Sequence, residues 1–382
     1  MPGNYTSVIV WITWFCRILC GGLFIFSGFV KAIDPWGTLF KIEEYLMAFG
    51  IGLPFALIRL IVFALCAVEF VVGCFLLTGC YRKSCPVFAL LIMIFMLPFT
   101  LWLAMENPVS DCGCFGDVIH VSNWFTFGKN IVITGGVVWL VRYNISALCL
   151  ITPAFQWLAV VFSGIFIVVI ELIGFFYQPL MDFRNYKEGS PLFYSEMNED
   201  GLDVFDITTG DDRTEVATVP EGKELVVMIP KVSMVSPATT WKLNALYEWC
   251  LEHGVTMIGV VSGSEEEIHQ WKDLSMAAYP LYLADDTSIK EVVRGNPGIV
   301  YLDNGKIQWK STLAAIDTDE ITSSDNETDL QIYYRDNRLI LNNISLAYLI
   351  VMIFLVFISF TPKLARLLVK GGLASKRGVR HH

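Results

Sequence analysis

Six long apolar runs constrain this chain more than any other feature, at 8–30, 54–78, 86–104, 127–141, 153–177 and 339–360. A bilayer core about 30 Å thick is crossed by roughly 20 helical residues. A spanning segment must also satisfy its own backbone hydrogen bonds, which an α-helix does. The runs therefore predict six transmembrane helices, the fourth being the weakest because Lys129 and Asn130 interrupt its start. With 54% of its residues hydrophobic, the chain is committed to a lipid bilayer. The polar stretch between the fifth and sixth runs, roughly 181–337, is long enough for one independent domain.

The net charge of −10 is unevenly placed. The polar stretch is acidic. The tail after the last run carries Lys363, Arg366, Lys370, Lys376, Arg377 and Arg380 and no acid. Positive flanks mark the cytoplasmic side, and Tyr81-Arg82-Lys83 and Arg142 fall on that side if the spans alternate. Both termini are then cytoplasmic and 181–338 lies outside; in a bacterium this is a multi-pass inner-membrane protein with a periplasmic domain. Nucleic acid is not the partner such a tail implies. The first run is too long for a secretion signal and lacks a clear small-x-small cleavage site, so it reads as retained.

Of the ten cysteines, Cys16, Cys20, Cys66, Cys74 and Cys149 sit in or beside apolar runs, where cysteine acts as a small hydrophobe. Cys112 and Cys114 differ. They lie in Asp111-Cys112-Gly113-Cys114-Phe115-Gly116-Asp117, the one pair assigned to the exoplasmic side, which is oxidising in a bacterium. Thiolates react in disulfide exchange, so adjacent exoplasmic thiols suit electron transfer. A bridge across Cys-x-Cys needs a tight bend, which Gly113 permits. Asp111 and Asp117 oppose thiolate formation. Two rival readings stay open: a metal site with His120 as third ligand, and a structural pair.

Several polar residues stand out against the apolar runs. Lys31 and Asp34 end the first span three residues apart, placed either to pair or to serve as a snorkelling lysine and a helix end, with Trp36 as interface anchor. The stretch 38–49 suits an amphipathic helix on the membrane surface. Glu69 lies inside the second span, where an acid must find a partner or a proton; Lys31 and Lys129 are the candidate partners. Glu171 is a second intramembrane acid. Cys80 and Cys85 flank a short basic turn and read as surface cysteines whose thiols the cations would activate.

The Gly-Phe-x-Lys-x-x-Asp-Pro segment at Gly28–Pro35, Glu69 followed by Gly73 and Gly79, and Cys112-Gly113-Cys114-Phe115-Gly116 after the third span together resemble the DoxX/MauE membrane family. The resemblance covers about residues 8–150 and implies a four-helix bundle. MauE-type members are associated with disulfide formation or maintenance in periplasmic proteins, which implies Cys112 and Cys114 as the redox pair. It also makes Lys31, Asp34 and Glu69 family-pattern positions.

The polar stretch alternates strands and helices, indicating an α/β domain with a partly parallel sheet. Strands are predicted at 223–229, 255–261 and 281–283, with a hairpin at 298–309. Helices are predicted at 238–253, after the Ser264/Glu267 capping box, and at 287–293. This order, with Asn296-Pro297-Gly298 before the hairpin, resembles the thioredoxin-like fold of TlpA-type proteins, whose turn holds a cis-proline. Where that family has Cys-x-x-Cys, this chain has Ser233-Met234-Val235-Ser236, which cannot carry electrons. Ser233, Ser236 and Pro297 then become candidates for holding a partner peptide.

The expected fold class is mixed: a helical membrane bundle with an inserted α/β domain. Its parts are 1–150 (four-helix bundle), 151–180 (fifth helix), 181–320 (soluble domain), 321–338 (linker), 339–362 (sixth helix) and 363–382 (basic tail). The expected function is thiol–disulfide exchange between Cys112/Cys114 and a periplasmic protein, with no metal and with a quinone as a candidate electron acceptor or donor beside aromatics such as Phe115 and Trp124. The alternative is a non-enzymatic scaffold whose soluble domain binds a partner.

Overall fold

The computed structural model describes residues 7–109, 113, 116, 121–192, 222–323 and 330–378. The chain divides into two compact units, Met1–Glu171 with Leu339–His382, and Leu172–Arg338.

In the first unit, α1 (Ser7–Ile33), α2 (Pro35–Ala48), α3 (Phe55–Thr78), α4 (Ser84–Glu106), α5 (Asn123–Tyr143) and α6 (Gln156–Phe176) follow in order. Helix α1 packs on α3 and α5, and α4 packs on α5. The fourth span is longer than its hydropathy suggests, since α5 begins at Asn123, where Ser122 caps it by accepting from Phe125 N at 3.3 Å. The residues that dilute its apolar signal, Asn123, Thr126 and Asn130, are buried against other helices. Asn130 Nδ2, for instance, donates to Thr100 Oγ1 at 3.2 Å. Helix α2 departs from a surface amphipath over its first turn, because Pro35 to Leu39 are all buried. Trp36 is packed between the rings of Phe40 and Phe55 rather than anchored in an exposed interface.

The second unit is built on one five-stranded sheet in the order β3-β2-β1-β4-β5. Its strands are β1 (Lys223–Ile229), β2 (Thr256–Val261), β3 (Leu281–Leu283), β4 (Gly298–Asp303) and β5 (Lys306–Thr312). The first three run parallel, while β4 and β5 are antiparallel to their neighbours. Strand β1 is central and covered on both faces, which explains its near-continuous apolar sequence. Leu225, Val227 and Ile229 face a core shared with Leu243, Leu246 and Cys250 of α7 (Pro237–Glu252). Val226 and Met228 face the opposite core, with Ile289 and Val292 of α9 (Asp286–Val292). Helix α8 (Glu265–Ser275) opens with the predicted Ser264/Glu267 capping box. The stretch expected to be a linker instead begins with α10 (Thr318–Ser323), and Ile321 and Leu330 are buried in the core. Trp309 Nε1 donates to Leu330 O at 3.0 Å, which ties that segment to β5.

Helix α11 (Asn337–Gly378) contains the sixth apolar span, Asn337–Thr361. Among the described residues, six helices are long and apolar enough to cross a membrane. Tyr348 of α11 stacks on Phe166 of α6 (centroids 4.2 Å apart) and its hydroxyl pairs with Ser163 Oγ at 2.8 Å. Phe166 in turn stacks on Phe29 of α1, so aromatic packing joins the last two spans to the bundle.

Two acids, the half-buried Asp182 and the buried Glu224, give the sheet unit opposite pH responses. Asp182 is ion-paired to Arg184 and Lys310; burial pushes its carboxyl up, but the two cations prevail and hold it at about 2. Glu224 on β1 is buried, and desolvation lifts it to about 7. A depressed Asp182 contributes stability that is lost as pH falls from 3.8 towards about 2. A raised Glu224 keeps its proton longer in the folded state, so stability falls as pH rises from 4.5 to about 7. We therefore expect Glu224→Gln to remove the upper decline, a gain of roughly 2–3 kcal/mol at neutral pH. The urea midpoint for exposure of buried Cys250, read with a pyridyl disulfide reagent at pH 5 and 7.5, tests this; equal declines in wild type and variant would refute it.

Candidate functional site: a buried ion pair beside a glycine-turned thiol loop

The site begins with how closely α1 and α3 approach. A Cβ on Gly73 would sit 2.5 Å from Ile25 N, and one on Gly28 would sit 2.6 Å from Phe70 N. Only glycine fits at either contact, so the two helices meet backbone to backbone, as small residues allow in membranes. That approach sets Lys31 opposite Glu69. Lys31 Nζ lies 2.8 Å from both carboxylate oxygens, and Ser27 Oγ donates to Glu69 Oε2 at 2.8 Å. Both charged side chains are under a tenth exposed, so Lys31 is a buried ion-pair partner rather than a snorkelling lysine. Asp34 begins the next helix, accepting from Gly37 N at 3.0 Å as the N-cap of α2. Fully buried Glu171 of α6 lies beside the Cys66 thiol of α3 within the same unit.

A cleft with about 60 Å³ of room opens on this pair, lined by Ser27, Lys31, Glu69, Met93, Lys129 and Asn130. Lys129, the other expected partner of Glu69, thus lines the same space. The cleft has room for a few waters. Trp124, an aromatic named beside a candidate quinone, is exposed.

The loop carrying the thiols is pinched at its base. Asn123 Nδ2 donates to Asn107 Oδ1 at 2.8 Å and to Val109 O at 2.9 Å. Cys112, Cys114, His120, Asp111, Phe115 and Asp117 lie outside the described residues. The two motif glycines are described. Gly113 and Gly116 have φ of +60° and +54°, a left-handed turn closed by Gly116 N donating to Gly113 O at 3.1 Å. A Cβ on Gly113 would meet Lys41 Cγ of α2 at 3.0 Å, and one on Gly116 would meet Val30 Cγ1 of α1 at 3.3 Å. The turn therefore rests where α1 passes into α2, next to the Lys31 end of the ion pair. Among the described residues no cluster of three or more His, Cys, Asp or Glu could hold a metal.

In the sheet unit, Ser233 lies in a short turn at Val232–Met234 and Ser236 caps α7 by accepting from Thr239 N. The Asn296–Pro297 peptide is cis. Asn296 clamps Lys231, its Nδ2 donating to Lys231 O at 2.8 Å and its Oδ1 accepting from Lys231 N at 3.4 Å. That clamp makes the serine-bearing turn and the Pro297 turn neighbours. Sequence alone marks Asn130 only as an interruption of an apolar run and Asn296 only as the residue before Pro297, and it gives no sign of Asn123.

The fold and site together define a multi-pass helical membrane protein with a charged pair buried between its first and third helices. Residues 9–143, about a third of the chain, match the family model described as methylamine utilisation protein MauE. No curated protein and no solved structure matches the chain.

Removing one partner of a buried ion pair strands the other charge and costs about 3–5 kcal/mol, whereas replacing both with apolar groups costs far less. Lys31→Met and Glu69→Leu should each lower the thermal midpoint of the detergent-solubilised chain more than the double variant does. Size-exclusion recovery after heating reads this; a double variant as unstable as the sum of the singles would argue against the pairing.

Proposed function

We propose that this chain is a membrane thiol–disulfide exchange protein in which Cys112 and Cys114 are the reacting pair. The observation that carries the reading is the turn between them and after them. Two left-handed glycines, packed against Lys41 and Val30, give the tight bend that a Cys-x-Cys bridge requires. The MauE match over 9–143 supports it, because the resemblance to that family is what implied Cys112 and Cys114 as the redox pair. In the exchange, a partner dithiol attacks the Cys112–Cys114 disulfide, a mixed disulfide forms, and the second partner thiol displaces it. The partner leaves oxidised, and two electrons and two protons reside on Cys112 and Cys114; the reverse sequence is equally balanced.

The membrane reading supports a bacterial inner-membrane location with both termini cytoplasmic and 181–338 periplasmic, the partner being a periplasmic protein. The sheet unit is proposed to be thioredoxin-like, on its strand order, its cis-Pro297 turn and the adjacent Ser233 turn. With serines in place of Cys-x-x-Cys it recruits the partner and carries no electrons itself. Ser236 favours a second reading, a scaffold without redox activity, because its hydroxyl is committed to capping α7.

Acid-quenched differential alkylation of native membranes separates the two. We expect Cys112 and Cys114 to be bridged, to open after a reductant pulse and to re-form within minutes. The Cys112→Ser/Cys114→Ser variant is expected to lose partner oxidation. A pair that stays reduced, or a fully active double variant, would leave the scaffold.

A further inference from the structure

A second pair of thiols lies at the opposite end of the bundle, between the loop joining α3 to α4 and the loop joining α5 to α6. These are Cys80 and Cys149, whose thiols lie near enough to act on each other's protonation. The sequence suggested Cys80 and Cys85 as surface thiols. Both are buried, and Cys85 donates to Val72 O of α3 at 3.7 Å. The two loops are fastened together close to the sulfurs. Leu150 N donates to Thr78 O at 2.9 Å. The Arg17 guanidinium lies against Gly79 and donates to Leu148 O at 2.5 Å and to Asn144 O at 2.8 Å.

The surroundings differ for the two sulfurs. Cys80 is fully buried and accepts from Thr78 Oγ1 at 3.2 Å. Cys149 is 9% exposed and lines an open cleft of about 530 Å³, together with Arg82, Lys83 and Gln156. Gln156 Nε2 donates to the Cys149 sulfur at 3.5 Å, and in its thiol form Cys149 donates to Ile151 O at 2.9 Å. Cys80 and the Arg82 guanidinium pull Cys149 down, while Cys149 and burial push Cys80 up. Cys149, which reaches the cleft, is therefore placed to attack, and the enclosed Cys80 to resolve.

We propose that Cys80 and Cys149 form a second thiol–disulfide exchange site, whose substrate is a small disulfide bearing carboxylates that enters the cleft beside Arg82 and Lys83. The Cys149 thiolate attacks one sulfur of the small disulfide, RS–SR, and expels RS⁻. Cys80, losing its proton, then attacks the Cys149 sulfur of the mixed disulfide and expels the second RS⁻. The protein pair ends as one disulfide, having given two electrons to RS–SR, and the two RS⁻ take up the two protons. Cations beside a thiolate favour carboxylate-bearing disulfides over cationic ones. The site does not depend on the exchange proposed for Cys112 and Cys114.

The test uses the full-length Cys112→Ser/Cys114→Ser chain in detergent, with glutathione disulfide as the probe and cystamine as the cationic control. We expect a Cys80–Cys149 cross-linked peptide by mass spectrometry, forming about tenfold faster with glutathione disulfide than with cystamine. Cys80→Ser should stop at one glutathione on Cys149. Arg82→Gln should slow the glutathione reaction severalfold and leave the cystamine reaction little changed. Cross-linking at equal rates with both probes, an adduct on Cys80 in place of Cys149, or both thiols remaining free would overturn the proposal.

Discussion

Burying an ammonium and a carboxylate in a bilayer is costly unless each finds the other at short range, and the first unit is arranged around meeting that condition. Lys31 and Glu69 stand on different helices, and long side chains alone do not bring them to 2.8 Å. The contact exists because Gly28 and Gly73 let α1 and α3 touch along their backbones. A single methyl at either position would separate the helices, and the pair with them. The same approach sets the direction in which α1 ends, hence where Asp34 begins α2 and where Val30 and Lys41 present a seat for Gly116 and Gly113. Ion pair, short helix and thiol-loop turn are thus one mechanical assembly.

The bundle treats its polar residues alike at both ends. Asparagines close loops by bonding to the backbone: Asn123 on Val109 at one end, and Asn144, which accepts from Arg17 Nε at 2.7 Å and donates to Arg82 O, at the other. In a membrane protein such groups hold irregular backbone where water is scarce. Each end also bears a pair of cysteines within a loop, but by different routes. One pair is adjacent in sequence around a glycine turn; the other is assembled from loops 69 residues apart (149 − 80).

The sheet unit is organised by β1, whose alternate residues supply two separate cores. Within it, charge is tolerated where it is paired. Lys310 donates to the Asp182 carboxylate and to the Val292 and Tyr186 carbonyls, so the segment before the sheet is held to β5 and α9. Glu224 shows the other outcome, an acid on the central strand lifted into the neutral range by burial.

Sequence by itself determined the elements whose signal is local. Six apolar runs, the capping box at Ser264, the strands around Val226 and Val300, and the hairpin turn at Asn304-Gly305 all follow from composition and periodicity over a few residues. The MauE match over 9–143 agrees with the family resemblance read over about residues 8–150. Tertiary structure decided what depends on partners distant in the chain. Lys31 could pair with Asp34, pair with Glu69 or snorkel until the α1–α3 contact set it against Glu69. Cys80 reads as a surface thiol beside Cys85 because only folding brings Cys149 against it. The 321–338 stretch looks like a linker because its acids and serines hide two core residues, Ile321 and Leu330, that only the sheet can recruit. Hydropathy and caps are properties of neighbouring residues, whereas ion pairs and thiol pairs are properties of which helices touch; glycine contacts between helices settled that here.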